Sequence, residues 1–247
     1  MTASPAPEPL APAASPRPER GSGPRLFLDS AAPADWQEFL PGGMFHGVTT
    51  NPLLLERAGQ PCTVANLAEL ARRAGDLGAR EIQLQTWGRT PEEMAATGEL
   101  LAELGGPGLR TVIKVPATRE GFRTARLLRA SGRAVTLTAV YTGGQVLAAA
   151  ALGAAYAAPY LGRLDDAGRD GMSTVMGMHH ILTGTGSPLR LLTASLRSAA
   201  QVVDLAVRGL DTFTFGTRVA AALLASDLTD AAAAAFQRAA ETKGEEP

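Results

Sequence analysis

Short apolar runs recur along this chain, alternating with longer, helix-like segments. From residue 25 onward the short runs are RLFLDS (25–30), GVTTN (47–51), REIQLQT (80–86), TVIKVPA (111–117), AVTLTAV (134–140), YAAPYLG (156–162), LRLLTAS (189–195) and TFTFG (212–216). Their length and their Val, Ile, Leu and Thr content predict strands. The stretches at 62–78, 90–104, 118–132, 142–154 and 198–209 have helical composition. Thr90, followed by Pro91 and Glu93, stands where a helix N-cap belongs, and so does Thr118. Gly78, Gly132 and Gly209 fall where helices should stop.

Eight strand–helix repeats over roughly 220 residues predict a (β/α)8 barrel, a fold usually built from about 250 residues. An open doubly wound sheet is the rival, but it usually carries a glycine-rich phosphate loop after its first strand. LFLDSAAP has no such loop. We expect one catalytic barrel domain over 25–247. Residues 1–24 hold mostly Pro, Ala, Ser and charge, with little to bury, and are expected to be a disordered tail. The tail lacks the apolar block of a signal peptide. Pro5, Pro7, Pro9 and Pro12 would break an import helix, and Glu8 has the wrong sign for one.

Composition narrows the class. The chain has 247 residues, 45% hydrophobic and 19% charged, with net charge −1, which fits a soluble protein with an ample core. No basic stripe points to nucleic acid, and the longest apolar run (146–161) holds Gly153 and Pro159, so no membrane span is expected. Cys62 is alone, which excludes an internal disulfide and suits a reducing cytoplasm.

The cations are unevenly chosen. There are 21 Arg and two Lys, and one lysine, Lys114, lies inside the apolar run TVIKVPA. Burial lowers a lysine pKa, and a neutral amine can attack a carbonyl to form a Schiff base, which Arg cannot do. In a barrel the active site lies at the C-terminal ends of the strands. Those ends carry, in order, Asp29, Thr50 with Asn51, Gln85, Lys114, Thr138, Tyr160 and Ser195. Polar residues scattered through strands would be costly to bury; gathered at one rim, they converge on one mouth. Taken singly, each has a plainer reading: a snorkelling lysine, an N-cap, an Asn-Pro turn, a wall aromatic. Thr49 could face the core.

The set LFLDS, GVTTNPLLL, VIKVPAT with EG, TLTAVYTGGQ, YAAPYLGRLDD and LLTASLRS resembles the transaldolase family, including its small bacterial members and their fructose-6-phosphate aldolase relatives. The match runs from about Leu26 to Leu228, with the motifs in the family's order. The resemblance implies a single TIM barrel of class I aldolase type with Lys114 as the Schiff-base residue and Asp29 as the acid/base at the C4 hydroxyl. It implies Asn51 and Thr50 as substrate contacts, and Gln85, Thr138 and Tyr160 as the group that handles a water. Arg163, Ser195 and Arg197 become the phosphate grip, on arginines suited to bidentate binding.

Two positions divide the family. Similar transaldolases usually have Glu and Phe where this chain has Gln85 and Tyr160, as the aldolase branch does; Arg197 leans the other way. The expected activity is therefore fructose-6-phosphate aldolase, with transaldolase as the alternative and a non-catalytic sugar-phosphate-binding barrel as a remote one. The resemblance further implies no cofactor, no metal, sugar phosphates as partners, and a homo-oligomer such as a pentamer or decamer. Residue 212 onward departs from the family, lacking a proline in strand eight and a tryptophan in the last helix. Adjacent His179 and His180 would point about 100° apart on a helix and make a poor metal pair. Asp165 and Asp166 are expected to brace the loop after strand six, and Trp87 to sit at the rim.

Overall fold

The structure, a computed structural model, describes residues 23–243; the expectation for the tail lies almost wholly outside them. Eight strands form one parallel sheet: β1 (Arg25–Asp29), β2 (Gly47–Thr49), β3 (Glu81–Gln85), β4 (Arg110–Pro116), β5 (Val135–Val140), β6 (Tyr156–Pro159), β7 (Arg190–Leu191) and β8 (Thr212–Phe215). Strand β1 pairs with both β2 and β8. The seam between β7 and β8 is held by Thr193, whose N–H donates to the Thr212 carbonyl and whose carbonyl accepts from the Thr214 N–H, both at 3.0 Å. The expected (β/α)8 barrel is thus the fold. β7 is shorter than its apolar run because Thr193 bridges to β8 and Ser195 turns out of the sheet with φ +58°.

Eleven helices surround the described barrel: α1 (Pro33–Phe39), α2 (Pro52–Arg57), α3 (Val64–Asp76), α4 (Pro91–Ala102), α5 (Arg119–Ala130), α6 (Gly143–Ala151), α7 (Leu161–Asp166), α8 (Gly171–Thr185), α9 (Ala199–Val207), α10 (Thr217–Leu224) and α11 (Asp227–Lys243). The Thr90 and Thr118 hydroxyls do accept from the N–H of Glu93 and Gly121. Gly78, Gly132 and Gly209 end helices in the left-handed region, where a side chain would be strained.

Side-chain alternation sorts the strands into two faces. Leu28, Val48, Ile113, Val115, Leu137, Ala157 and Phe213 pack outward in the main apolar core, with residues of the helices such as Leu67, Leu101 and Leu128. Phe27, Val112, Tyr156, Ala158 and Leu192 form a separate cluster inside the barrel. Phe27 meets Tyr156 edge-on at 6.2 Å between ring centres. Each fully buried Leu, Ile or Phe contributes about 1.5–3 kcal/mol relative to exposure.

The same alternation decides where the polar strand residues go. Lys114 lies two positions after Val112 and so shares the inward face. Inside the barrel, in a hydrogen-bonded column, Thr136 donates to Gln83 (2.8 Å), Gln83 donates to Glu81 (2.8 Å), and Glu81 also accepts from the Tyr156 hydroxyl (3.1 Å). Arg25 then donates to the Tyr156 hydroxyl at 2.5 Å, and Arg110 pairs with Glu81 at 3.3 Å. Every member has a partner, which offsets the penalty for burying it. Burial pushes the Glu81 carboxyl up, while Gln83 and Arg110 pull it back down.

Candidate active site

A cavity of about 440 Å³ opens at the C-terminal ends of the strands, lined on its floor and walls by Asp29, Asn51, Gln85, Ala139, Tyr160 and Ser195, with Arg57 and Arg163 at its edge. Lys114 lies beneath it, 3% exposed. Its Nζ donates to the Thr50 backbone carbonyl at 2.9 Å. Burial lowers the Lys114 pKa below its ordinary value, and the nearby Asp29 charge partly raises it back. A neutral carbonyl steadies this amine where a carboxylate would have fixed its charge.

Asp29 ends β1 and pairs in register with Thr49 on β2. The Thr49 hydroxyl donates to Asp29 Oδ1 at 2.7 Å and lies 2.6 Å from the Thr214 hydroxyl. Thr49 has one hydroxyl proton, and Asp29 takes it. The proton between the two threonines therefore belongs to Thr214, and the row is directed: Thr214 to Thr49 to Asp29. Thr138 and Tyr160, at the ends of β5 and β6, join their hydroxyls at 2.8 Å. Burial pushes the Tyr160 hydroxyl up, against the Thr138 bond and Arg163, which lower it; Asp29 adds to the rise. Gln85 pairs in register with Lys114 on the neighbouring strand.

The other expected residues divide. Asn51 lines the cavity and caps α2, its Oδ1 accepting from the Leu54 N–H at 3.0 Å; its amide nitrogen is the group left for a ligand. Thr50 is buried and contributes its carbonyl, while its hydroxyl is buried without a partner. Arg163 and Ser195 reach the cavity. Arg197 does not line it: its guanidinium is paired with Asp166 on the outer rim, and this pairing holds the Asp166 carboxyl below the usual range. Asp165 accepts from the Gly171 N–H at 2.9 Å and braces the start of α8, as expected of that loop. Among the described residues no group of three or more His, Cys, Asp or Glu could hold a metal ion.

The pattern along the chain did not single out Thr49, Thr214, Arg57 or Ala139. Thr49 and Thr214 were legible only through strand phase. Arg57 is one of 21 arginines with no motif around it. Ala139 has φ +55° beside a register shift in β5, a strained backbone for a residue with a side chain. With Ser195 it makes two left-handed non-glycine residues in the described chain, and both line this cavity.

An eight-stranded β/α barrel with a lysine buried under its mouth has the fold of the class I aldolases. The comparison with known families is more specific. Residues 26–246 match the family described as Transaldolase/Fructose-6-phosphate aldolase, and the chain belongs to that family. A probable transaldolase of Maridesulfovibrio salexigens is 36% identical over 211 residues, covering 85% of this chain and 95% of the relative. A probable transaldolase of Hydrogenobaculum sp. is 32% identical, covering 83% and 91%, and one of Aquifex aeolicus is 31% identical, covering 90% and 99%. A solved structure described as "Native KDPGal structure" superposes with a TM-score of 0.52 at 14% identity, over 78% of this chain and 81% of that one, a likeness of fold alone.

Proposed function

We propose that this protein is a Schiff-base enzyme that cleaves and forms the C3–C4 bond of a ketose phosphate, as a fructose-6-phosphate aldolase. The observation that carries the reading is Lys114. Its amine is buried, its pKa is lowered by that burial, and it is held by a neutral carbonyl directly beneath a cavity that Asp29 lines.

The neutral amine attacks C2 of the ketose and loses water to give an iminium. Asp29 accepts the C4 hydroxyl proton, the C3–C4 bond breaks, and its electron pair moves into the iminium to leave an enamine. The aldose phosphate departs as an aldehyde. Protonation at C3 and attack of water at C2 then release dihydroxyacetone and the free amine. Gln85, Thr138 and Tyr160 hold that water. Gln orients it without acting as a base, and the Tyr160 hydroxyl relays protons to and from Thr138. Asn51 binds substrate hydroxyls, and Arg163 with Ser195 binds the phosphate; Arg197 joins them on leaving Asp166.

The alternative is a transaldolase, in which an aldose phosphate captures the enamine before water does. The naming of the relatives as probable transaldolases favours it, and Gln85 and Tyr160 favour the aldolase. Incubation with fructose 6-phosphate and borohydride should leave a three-carbon adduct on Lys114, which Lys114→Arg abolishes together with activity, by about 10³-fold or more. No adduct in the wild type would sink the reading. Free dihydroxyacetone accumulating without erythrose 4-phosphate supports the aldolase; turnover that requires the acceptor makes it a transaldolase. We further place the protein in the cytoplasm and α11 against a second copy of the chain.

A further inference from the structure

The end of the barrel away from the catalytic cavity gathers cations that the proposed reaction does not use. Arg25, Arg110 and Arg190 open β1, β4 and β7, each two positions before Phe27, Val112 or Leu192 of the cluster inside the barrel. All three therefore share the inward strand face. Around the ring, β1, β4 and β7 are three, three and two strands apart, so the guanidinium groups come in from three sides. Eight strands enclose an interior that side chains just fill, which brings such stems within reach of one another. Arg80 adds a fourth cation: its N–H donates to the His46 carbonyl at 3.0 Å, and its carbonyl accepts from the Arg110 N–H at 2.9 Å.

The carboxylates paired with these groups are fewer. Glu81 takes Arg110 at 3.3 Å, and Asp211 takes Arg190 at 3.4 Å. Arg25 donates to the neutral Tyr156 hydroxyl, and the exposed Arg80 guanidinium has no hydrogen-bond or ion-pair partner among the described residues. His46 gauges the balance. It lies 3.9 Å from Glu81, a setting that ordinarily makes a histidine hold its proton more tightly. Burial first, and then Arg25, Arg80, Arg190 and Arg110, instead push it down to about 4. The potential here is positive even beside the buried carboxylate. Arg190 also lines a cavity of about 410 Å³ with Asp211, His179 and Ser187, so small solutes reach this end.

We infer that the N-terminal end of the barrel binds a multiply charged phosphate, held by Arg25, Arg80, Arg110 and Arg190. Guanidinium forks match phosphate oxygens in shape and charge, and an anion among them relieves the repulsion between converging cations. The site is separate from the catalytic cavity and does not depend on the reaction proposed there.

Calorimetry with sodium pyrophosphate at neutral pH, in sodium chloride of matched ionic strength, tests this on the wild-type chain and on Arg163→Gln, a substitution that disables the phosphate grip at the catalytic cavity. Binding is expected to persist in Arg163→Gln. In that background Arg80→Gln should weaken it about threefold and Arg80→Glu about tenfold. The Arg80 side chain makes no bond to the rest of the described chain, so both variants are expected to fold, and a circular dichroism melt checks that. A second readout lies at the site itself: saturating pyrophosphate should raise the proton affinity of the His46 ring, followed by NMR from its midpoint at about 4, by about tenfold. Any one of three results overturns the inference: binding that vanishes in Arg163→Gln, binding that neither Arg80 substitution changes, or a His46 midpoint that pyrophosphate does not move.

Discussion

Burial works against the charge on Lys114, and the same penalty acts on stability. The folded pKa lies below the ordinary 10.5, so the unfolded chain binds more protons between the lowered value and 10.5. Stability therefore rises with pH through that window and is weaker below it. Adduct formation should climb with pH, with a midpoint below that of an exposed lysine. Replacing Lys114 with Met removes the buried amine at similar volume. We expect no adduct and a gain of about 1–2 kcal/mol at neutral pH, read as a raised Tm. A Tm equal to or below the wild type would show that burial is not working against this amine. The row from Thr214 to Asp29 makes a second prediction. Thr214→Val should lower kcat about three- to tenfold, the scale of one lost hydrogen bond, with KM little changed and the Lys114 adduct still formed. Thr214→Ser should restore the rate; if the valine variant turns over normally, Thr214 does not position Asp29. The strand ends in the sequence pointed to Asp29, Gln85, Lys114 and Tyr160, but Thr49 and Thr50 differ by one step of strand phase. Only the register of β2 against β1 sends Thr49 inward and leaves Thr50 to offer its carbonyl.

Among the elements, the strands were readable because each apolar run is short, and most, such as TVIKVPA and AVTLTAV, are rich in β-branched residues. Helices α3, α5 and α9 were readable by their helical composition and by the glycines, Gly78, Gly132 and Gly209, that stop them. Helices α7 and α8 were not: α8 reads GMSTVMGMHHILTGT, in which the buried stripe of Val175, Met178 and Leu182 is diluted by Gly and Thr. The turn from β6 into α7 is what places Arg163 at the cavity. Here Gly162 donates its N–H to the Ser195 carbonyl at 3.0 Å, and a Cβ on it would sit 2.4 Å from that oxygen and 2.8 Å from Arg197 Nε. Gly162→Ala must therefore push the Ser195–Arg197 segment away from α7. We expect KM for fructose 6-phosphate to rise about tenfold while the borohydride adduct with unphosphorylated dihydroxyacetone forms as in the wild type. An equal loss for both ligands would mean that α7 supports the whole mouth and not the phosphate side.

The whole molecule has two features that lie away from the mouth. Helix α11 is exposed along almost its full length, with Leu228 at 85% and Phe236 at 73%, which is an unusual display of apolar surface for a lone barrel. If α11 seats on a second copy, Phe236→Glu should shift the mass seen by light scattering toward the monomer, with the Lys114 adduct retained. An unchanged mass removes α11 from the interface. At the opposite end of the barrel, burial first, then Arg25, Arg80, Arg190 and Arg110, hold His46 down at about 4. The unfolded ring takes its proton near 6.5 and the folded one does not, so stability is full above 6.5 and is lost as the pH falls toward 4. The loss is about 2 kcal/mol for this half-buried ring, screening included, and His46→Gln should be missing that part of the acid dependence in parallel melts. The sealed position of Lys114 has one more consequence. Only two side chains in this sequence carry a primary amine, Lys243 near the C-terminus and Lys114 beneath the cavity floor. Bulky amine-acylating reagents should spare Lys114, while slender carbonyl compounds reach it. The pattern of labelling across reagents of graded girth would then serve as a calliper for the doorway in solution.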